Sequence, residues 1–322
     1  MMKSASELTD FYYRELYPSL SGLEESRKQI VSRLKLYGGM GIVVFGITAV
    51  WTAKHVGLQH PLFMFLIIGF AALGGFVYRF MTAGYTQGFK EHVITPLIHA
   101  IDPHLLYNPR FMVSQHLFER SDLFKHPVER YRGNDYVKGQ VEGVPMEFSD
   151  IHAEYLTRDS KGRTQWHTLF RGLFLVAEFN KHFKGKTVVL PDSAEKTFGT
   201  LIGGWLQSKN FSRDGLIRLD DPEFEKHFVV YGNDPIEARY ILSHSMMKRI
   251  LSFQKKLPHP LFVSFNQNHI HVAIATGKDL LEPAIFRSLL DYDQAMEYVN
   301  TLRSTIGLVE ELKLNERLWS KE

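Results

Sequence analysis

Two uninterrupted apolar runs near the N-terminus constrain this chain more than any other feature. Leu36–Ala53 carries no charged residue over eighteen positions, and Pro61–Met81 carries only Arg79, near its end. A bilayer core is crossed by about 20 apolar residues in a helix, with roughly 17–25 tolerated. Backbone in lipid has to satisfy its own hydrogen bonds, so the short polar link Lys54–His60 turns the two runs into a helical hairpin. The competing reading, a buried hairpin in a soluble core, is disfavoured because two such runs are rare in soluble domains.

Cations at the run ends set the expected orientation. Arg27, Lys28, Arg33 and Lys35 precede the first run, Arg79 and Lys90 flank the end of the second, and the link holds only Lys54. Both termini are therefore expected in the cytoplasm. No basic leader with a small-residue cleavage site precedes the first run, so the hairpin is read as retained. Tyr37, Trp51 and Tyr78 fit interfacial positions, and Gly38, Gly41, Gly69 and Gly74 would allow close helix packing.

At 322 residues, the chain has room for two or three structural units. Net charge is +3, but residues 1–90 hold nine Lys/Arg against five Asp/Glu, so the remainder is close to neutral. The basic balance thus belongs to the membrane flanks and does not indicate nucleic acid. The absence of cysteine excludes disulfides, thiol catalysis and cysteine metal sites.

Along the chain, Ser4–Tyr17 reads as a short helix stopped by Pro18, and Ser21–Lys35 as an amphipathic helix running into the first span. Phe89, Val93, Leu97 and Ile101 mark a juxtamembrane helix interrupted at Pro96 and ended by Asp102-Pro103. Then the period changes. Gln140–Phe148, Ile151–Arg158, Thr164–Ala177 and Gly185–Leu190 read as strands, with a hairpin turn at Asp159–Gly162. Leu216–Leu219 and Phe228–Tyr231 are short strand candidates. Asp234 as N-cap, Pro235 and Glu237 open a helix expected to reach Lys256 and to bury Ile236, Tyr240, Met247, Ile250 and Leu251. Leu261–Asn266 and His269–Ala275 form a further hairpin, and an apolar stripe from Tyr292 to Leu312 predicts a closing helix. That stripe either packs on its own domain or pairs with the same helix of another copy.

The fold class expected is α+β. It comprises an amphipathic segment over 1–35, a transmembrane hairpin over 36–81 and a juxtamembrane helix over 82–110. A cytoplasmic domain with mostly antiparallel sheet and flanking helices follows over 111–290, and an amphipathic helix over 291–322.

With the strands placed, the domain resembles a known family. The residues that carry the likeness are Ser121-Asp122-Leu123-Phe124, then Gly133-Asn134-Asp135, then Phe148-Ser149-Asp150-Ile151. Leu169-Phe170-Arg171-Gly172-Leu173-Phe174, Leu190-Pro191-Asp192 and Phe224-Glu225 through Tyr231 extend it toward Glu237-Ala238-Arg239-Tyr240. The likeness covers about Phe89–Ala275 and is to a bacterial family of unknown function, family 3137. It implies a two-span protein of the bacterial inner membrane, often found alongside LemA-type membrane proteins, and brings no catalytic residue with it.

His269 and His271 are the sharpest chemical candidates, because a strand places side chains i and i+2 on one face where both imidazoles could reach one metal. Asp150, His152 or His167 could complete such a site. The alternative for the pair is a solvent-facing strand edge, and Ala273 stands where a two-histidine phosphoesterase would place Ser or Thr. Arg171 is a candidate contact for an anion, or else half of a strand-face salt bridge. Gly172 marks a bulge or a close backbone approach. Gly199–Gly204 lacks the Gly-Lys-Ser/Thr ending of a phosphate loop, and no G-x-S-x-G elbow occurs.

The leading expectation is a membrane-tethered interaction or scaffold module, not an enzyme and without cofactor. Its partners would be the lipid bilayer and a LemA-type protein or a second copy. The alternatives are a membrane-bound metal-dependent hydrolase using His269 and His271, and a small-ligand or lipid sensor beside Arg171.

Overall fold

A computed structural model describes residues 7, 10–57, 59–124, 126–178, 182–192, 215–312 and 314. Two compact units emerge, one from Lys3–Ala100 with Leu281–Val299, the other from Ile101–Leu280 with Asn300–Glu322.

The first unit is built on two long helices, α1 (Tyr17–His55) and α2 (Pro61–Phe89). Each is bordered by a π-helical turn that precedes a proline. Tyr12–Leu16 leads into Pro18, and Lys90–Ile94 leads into Pro96 at the start of α3 (Thr95–Ile101). In both turns the residue just before the proline bonds five residues back, Tyr17 N–H to the Tyr12 carbonyl and Thr95 N–H to the Lys90 carbonyl. Widening the turn accommodates a residue that has no amide hydrogen to donate. Pro18 therefore does not stop a helix, contrary to the sequence expectation; it sits in the first turn of α1. α1 and α2 are long and apolar enough to cross a membrane, with mean hydropathy of 1.6 and 2.1 in their most apolar stretches.

The second unit is a nine-stranded sheet in which every pairing is antiparallel. Its strands are β1 (Leu106–Asn108), β2 (Arg130–Val141), β3 (Val144–Arg158), β4 (Thr164–Glu178), β5 (Lys186–Pro191), β6 (Gly215–Ile217), β7 (Phe228–Gly232), β8 (Leu261–Asn266) and β9 (His269–Ile274), in the order β1-β2-β3-β4-β9-β8-β5-β7-β6. Short helices α4 (Gln115–Arg120), α5 (Pro222–Glu225), α6 (Pro235–Ile241) and α7 (His244–Lys256) are interspersed. The C-terminal stretch forms α8 (Tyr292–Ile306) and α9 (Leu308–Glu311), separated at Gly307.

The Asp159–Gly162 turn is as expected. Asp159 accepts from the amides of Lys161 and Arg163, and Gly162 takes a positive φ of 76°. Another hairpin was hidden. Gln140–Phe148, which reads as one strand, contains the Glu142-Gly143 turn between β2 and β3, with φ of 50° and 80°. A two-residue turn with both φ positive matches the twist of its flanking strands.

One face of the sheet carries an aromatic core of Phe118, Phe170, Phe174 and Phe262 with Ile151, Val176, Val188 and Ala273. The middle of β4 is buried on both faces, so its sequence runs continuously apolar instead of alternating. In α8 and α9 the predicted stripe is buried at Val299, Leu302, Ile306, Val309 and Leu312, while Tyr292 stays 38 % exposed.

The helix expected from Asp234 to Lys256 is two helices. Asp234 caps α6 by accepting from the Ile236 and Glu237 amides, but Ser243 caps a fresh start by accepting from Met246 N. The break rotates the apolar stripe, so Ile236 and Tyr240 end up exposed, whereas Met247, Ile250 and Leu251 are buried as expected.

Candidate functional site

His269 and His271 do share a face of β9, with ring centroids 6.0 Å apart. They differ sharply in surroundings. His271 is buried on the aromatic-core side, stacked at 6.3 Å on Phe174, with Nδ1 3.4 Å from Ser264 Oγ. Ser264 Oγ itself donates to the Ser121 carbonyl at 2.6 Å. Burial, reinforced by His269 and Arg120, pushes the His271 pKa down to about 3. His269 is half-buried, and its pKa is also lowered, first by burial and then by Arg120.

The proposed completing ligands lie elsewhere. Asp150 and His152 follow the even positions of β3, whereas Ile151 and Ala153 of the same strand join the core face shared by His271 and Ala273. The two-residue pleat thus puts both candidates on the opposite side of the sheet. His167 precedes Val176, the register partner of His271, by nine residues, about 30 Å along a strand. Among the described residues no group of three or more His, Asp and Glu side chains could hold a metal ion.

His271 has a measurable consequence. An imidazole held neutral at pH 6.5 and below, while the unfolded chain protonates near pH 6.5, contributes stability that is full above that pH and lost as pH falls toward 3. Between those limits the slope is about 1.4 kcal/mol per pH unit. Denaturant unfolding at pH 7 and pH 5 is expected to show this loss, and His271→Phe is expected to reduce it. An unchanged slope in that variant would contradict the burial of a neutral ring.

Arg171, on β4 opposite His152, pairs with Asp279 at 3.3 Å and is partly exposed. Its neighbour Gly172 has φ of 152° and lies against the β9 backbone. A Cβ there would fall 2.1 Å from the Ile274 carbonyl oxygen and 2.7 Å from Thr276 N. The close-approach reading of this glycine is therefore correct. The Gly199–Gly204 stretch lies outside the described residues.

Two constellations escaped sequence reasoning. The first is a polar cleft of about 450 Å³ where Gly307 separates α8 from α9, lined by Lys256, Asn300, Arg303, Ser304, Glu310 and Glu311. Lys256 pairs with Glu311 across it, and burial followed by Glu142 raises the Glu310 pKa.

The second is a clamp in the helical unit. Glu24 on α1 is 3 % exposed, and Arg27 holds its carboxylate through Nε at 2.9 Å and Nη2 at 2.8 Å. Leu289 N–H donates to the same carboxylate at 2.9 Å, and Arg27 Nη1 donates to the Ile285 carbonyl at 2.8 Å. Lys90, equally buried, meets Glu282 at 2.6 Å, and the Tyr298 hydroxyl donates to the Glu282 carbonyl at 2.8 Å. Hydrogen bonding from Arg27, against the opposing effect of burial, pulls the Glu24 pKa to about 2. These contacts strap residues 281–290 to the helices. A Glu three residues before an Arg on one helix was the available signal for the pair, and carried none for its burial. In the sequence Arg27 and Lys90 read only as flanking charges.

A family model described as "Protein of unknown function (DUF3137)" matches residues 168–314. The match spans less than half of the chain. The DUF3137 stretch runs from β4 to α9, so it includes the C-terminal helices and the polar cleft and leaves out the 121–153 motifs of the sequence resemblance. No curated protein matches the sequence. Among solved structures the chain is similar to the mycobacterial trehalose monomycolate transport factor A, TtfA. Identity is 13%, coverage is 64% of this chain and 88% of that chain, and the TM-score is 0.31.

Proposed function

We propose that this chain is a two-span membrane protein of the bacterial inner membrane whose α+β domain is a cytoplasmic interaction or scaffold module. The observation that carries the reading is the outward face of α1 and α2. Ile42, Phe65 and Phe80 are 74 %, 67 % and 76 % exposed, and only 6 % and 0 % of the most apolar stretches is buried. A continuous apolar surface of this kind is stable in lipid and not in water. Charge supports the orientation even after the two clamped cations are set aside, since Lys28, Arg33, Lys35 and Arg79 still stand against Lys54 alone. For partners, β1 and the loop after it offer exposed Leu106, Phe111 and Met112 beside Arg110. The partner proposed is a second copy of the chain or a LemA-type membrane protein.

One fusion experiment tests both parts. A reporter active only in the cytoplasm is expected to work at the C-terminus and to fail within Lys54–His60, and the reverse pattern overturns the orientation. The C-terminal fusion, crosslinked in native membranes and purified, is expected to retain a second copy or a LemA-type protein. Recovery of the fusion alone overturns the interaction reading.

A further inference from the structure

The strap that the clamp holds against the helices has an unusual apex. Leu281, Ile285 and Leu289 are buried, whereas Phe286 is 70 % exposed and Arg287 is exposed beside it. This exposure does not belong to a loose tip. Glu282, Ile285 and Leu289 are each tied down, to Lys90, Arg27 and Glu24 respectively.

The tie points also fix which way the apex faces. Arg27 precedes Leu36, the start of the first apolar run, by nine residues, or about 13 Å of helix. Leu289 is held by the Glu24 carboxylate that the same guanidinium grips, and beyond it Tyr292 packs on Tyr12 and Tyr13, more than two turns farther from the run. Lys90, which holds Glu282, follows Gly88, and a Cβ on Gly88 would lie 3.4 Å from Leu23. Its anchor is thus also farther from the run than Arg27. The strap therefore climbs toward the apolar runs, turns just after Ile285, and descends. Phe286 and Arg287 stand at its nearest point. The headgroup zone occupies roughly 5–7 Å beyond the hydrocarbon core, so side chains projecting from that point span most of the remaining distance.

Charge complementarity names the occupant. Lys28, Arg33 and Lys35 lie on α1 between the Arg27 tie point and Leu36, and with Arg287 they have no ion-pair or hydrogen-bond partner among the described residues. A benzyl ring beside a guanidinium, on a strap tied to the helix that carries three more cations, matches an anionic lipid surface, where the ring enters the interface and the cation meets phosphate. We propose that Phe286 and Arg287 dock the strap on the anionic headgroups of the bilayer that α1 and α2 cross. This deepens the membrane reading above and rests on it.

The chain has no cysteine, so single labelling sites can be introduced cleanly. Full-length Phe286→Cys and Met64→Cys, each carrying an environment-sensitive fluorophore, would be reconstituted in phosphatidylcholine vesicles with and without phosphatidylglycerol. Met64 lies in α2 and is 64 % exposed. The label at 64 is expected to be quenched by acyl-chain spin labels in both vesicles. The label at 286 is expected to be quenched by headgroup spin labels, more strongly when phosphatidylglycerol is present. Adding Arg287→Gln should lower the ratio of docked to undocked strap about fivefold in the anionic vesicles. Quenching at 64 with a water-exposed label at 286 overturns the docking proposal and leaves the spans intact. Equal quenching at 286 in both vesicles overturns the anionic specificity. A label at 286 that is shielded only at high protein density, without lipid quenching, assigns the apex to a second copy. No quenching at 64 overturns the membrane reading itself.

Discussion

Gly172→Ala is expected to destabilise the sheet domain by on the order of 3–5 kcal/mol, a large effect for one added methyl group. The added carbon would sit 2.1 Å from the Ile274 carbonyl oxygen and 2.7 Å from Thr276 N. Both obstacles are backbone, so no flexible side chain can swing away. The residue also holds φ at 152°, a conformation that costs an L-residue extra. Relief would require β4 to separate from the end of β9, the junction through which the β1–β4 half of the sheet connects to the rest. Denaturant unfolding of Gly172→Ala beside Gly215→Ala gives the comparison. A Cβ at Gly215 meets nothing within 4 Å, so that change is expected to stay within about 0.5 kcal/mol. Similar stabilities for the two variants would show that the close approach is not energetically real.

Arg27→Met is expected to cost about 3–5 kcal/mol in the helical unit, because it strands the buried Glu24 carboxylate. In the native chain that carboxylate is held to a pKa of about 2 by Arg27. The sign follows from linkage. A carboxylate depressed below its ordinary value near 4.5 contributes stability that is present above that pH and disappears as pH falls toward 2. Without the guanidinium, the Glu24 pKa rises and burial then favours the protonated acid. The variant should therefore lose its stability advantage at neutral pH and differ least from the native chain in acid. Hydrogen exchange at the Leu289 amide, which donates to Glu24, reads the local effect directly. Glu24→Met combined with Arg27→Met is expected to recover much of the loss, since removing both charges leaves none uncompensated. A double variant no better than the single one would mean that the pair acts mainly through packing.

The contrast between these two sites reflects what a local sequence can encode. Gly172 is legible as a close approach because a glycine weakens the interior of an aromatic, β-branched strand unless another backbone needs the space. Its obstacles, Ile274 and Thr276, lie on a distant segment of the chain and leave no local mark. Glu24 and Arg27 are neighbours on one helical face, yet nothing local distinguishes a buried pair from a solvated one. What buries it is the backbone of Ile285 and Leu289, far along the chain. The histidine pair is similar. Alternation places His269 and His271 together, but the depth of His271 depends on Phe174 and the Ser121 loop meeting over β9.

By itself the sequence determined the elements whose causes are short-ranged. These are the two apolar helices, the Asp159–Gly162 turn, the Asp234 cap, the β8–β9 hairpin and the α+β class. Each follows from periodicity, a cap or a turn residue acting over a few positions. Only the tertiary structure decided the rest: the Glu142-Gly143 reversal within an apparent strand, the Ser243 restart that exposes Ile236 and Tyr240, and the insertion of β5 between β8 and β7. It also decided the strap that ties residues 281–290 to Glu24, Arg27 and Lys90. The physical reason is common to all of them. Competing local conformations there differ by about 1 kcal/mol or less, and long-range burial, worth several times that per side chain, selects among them.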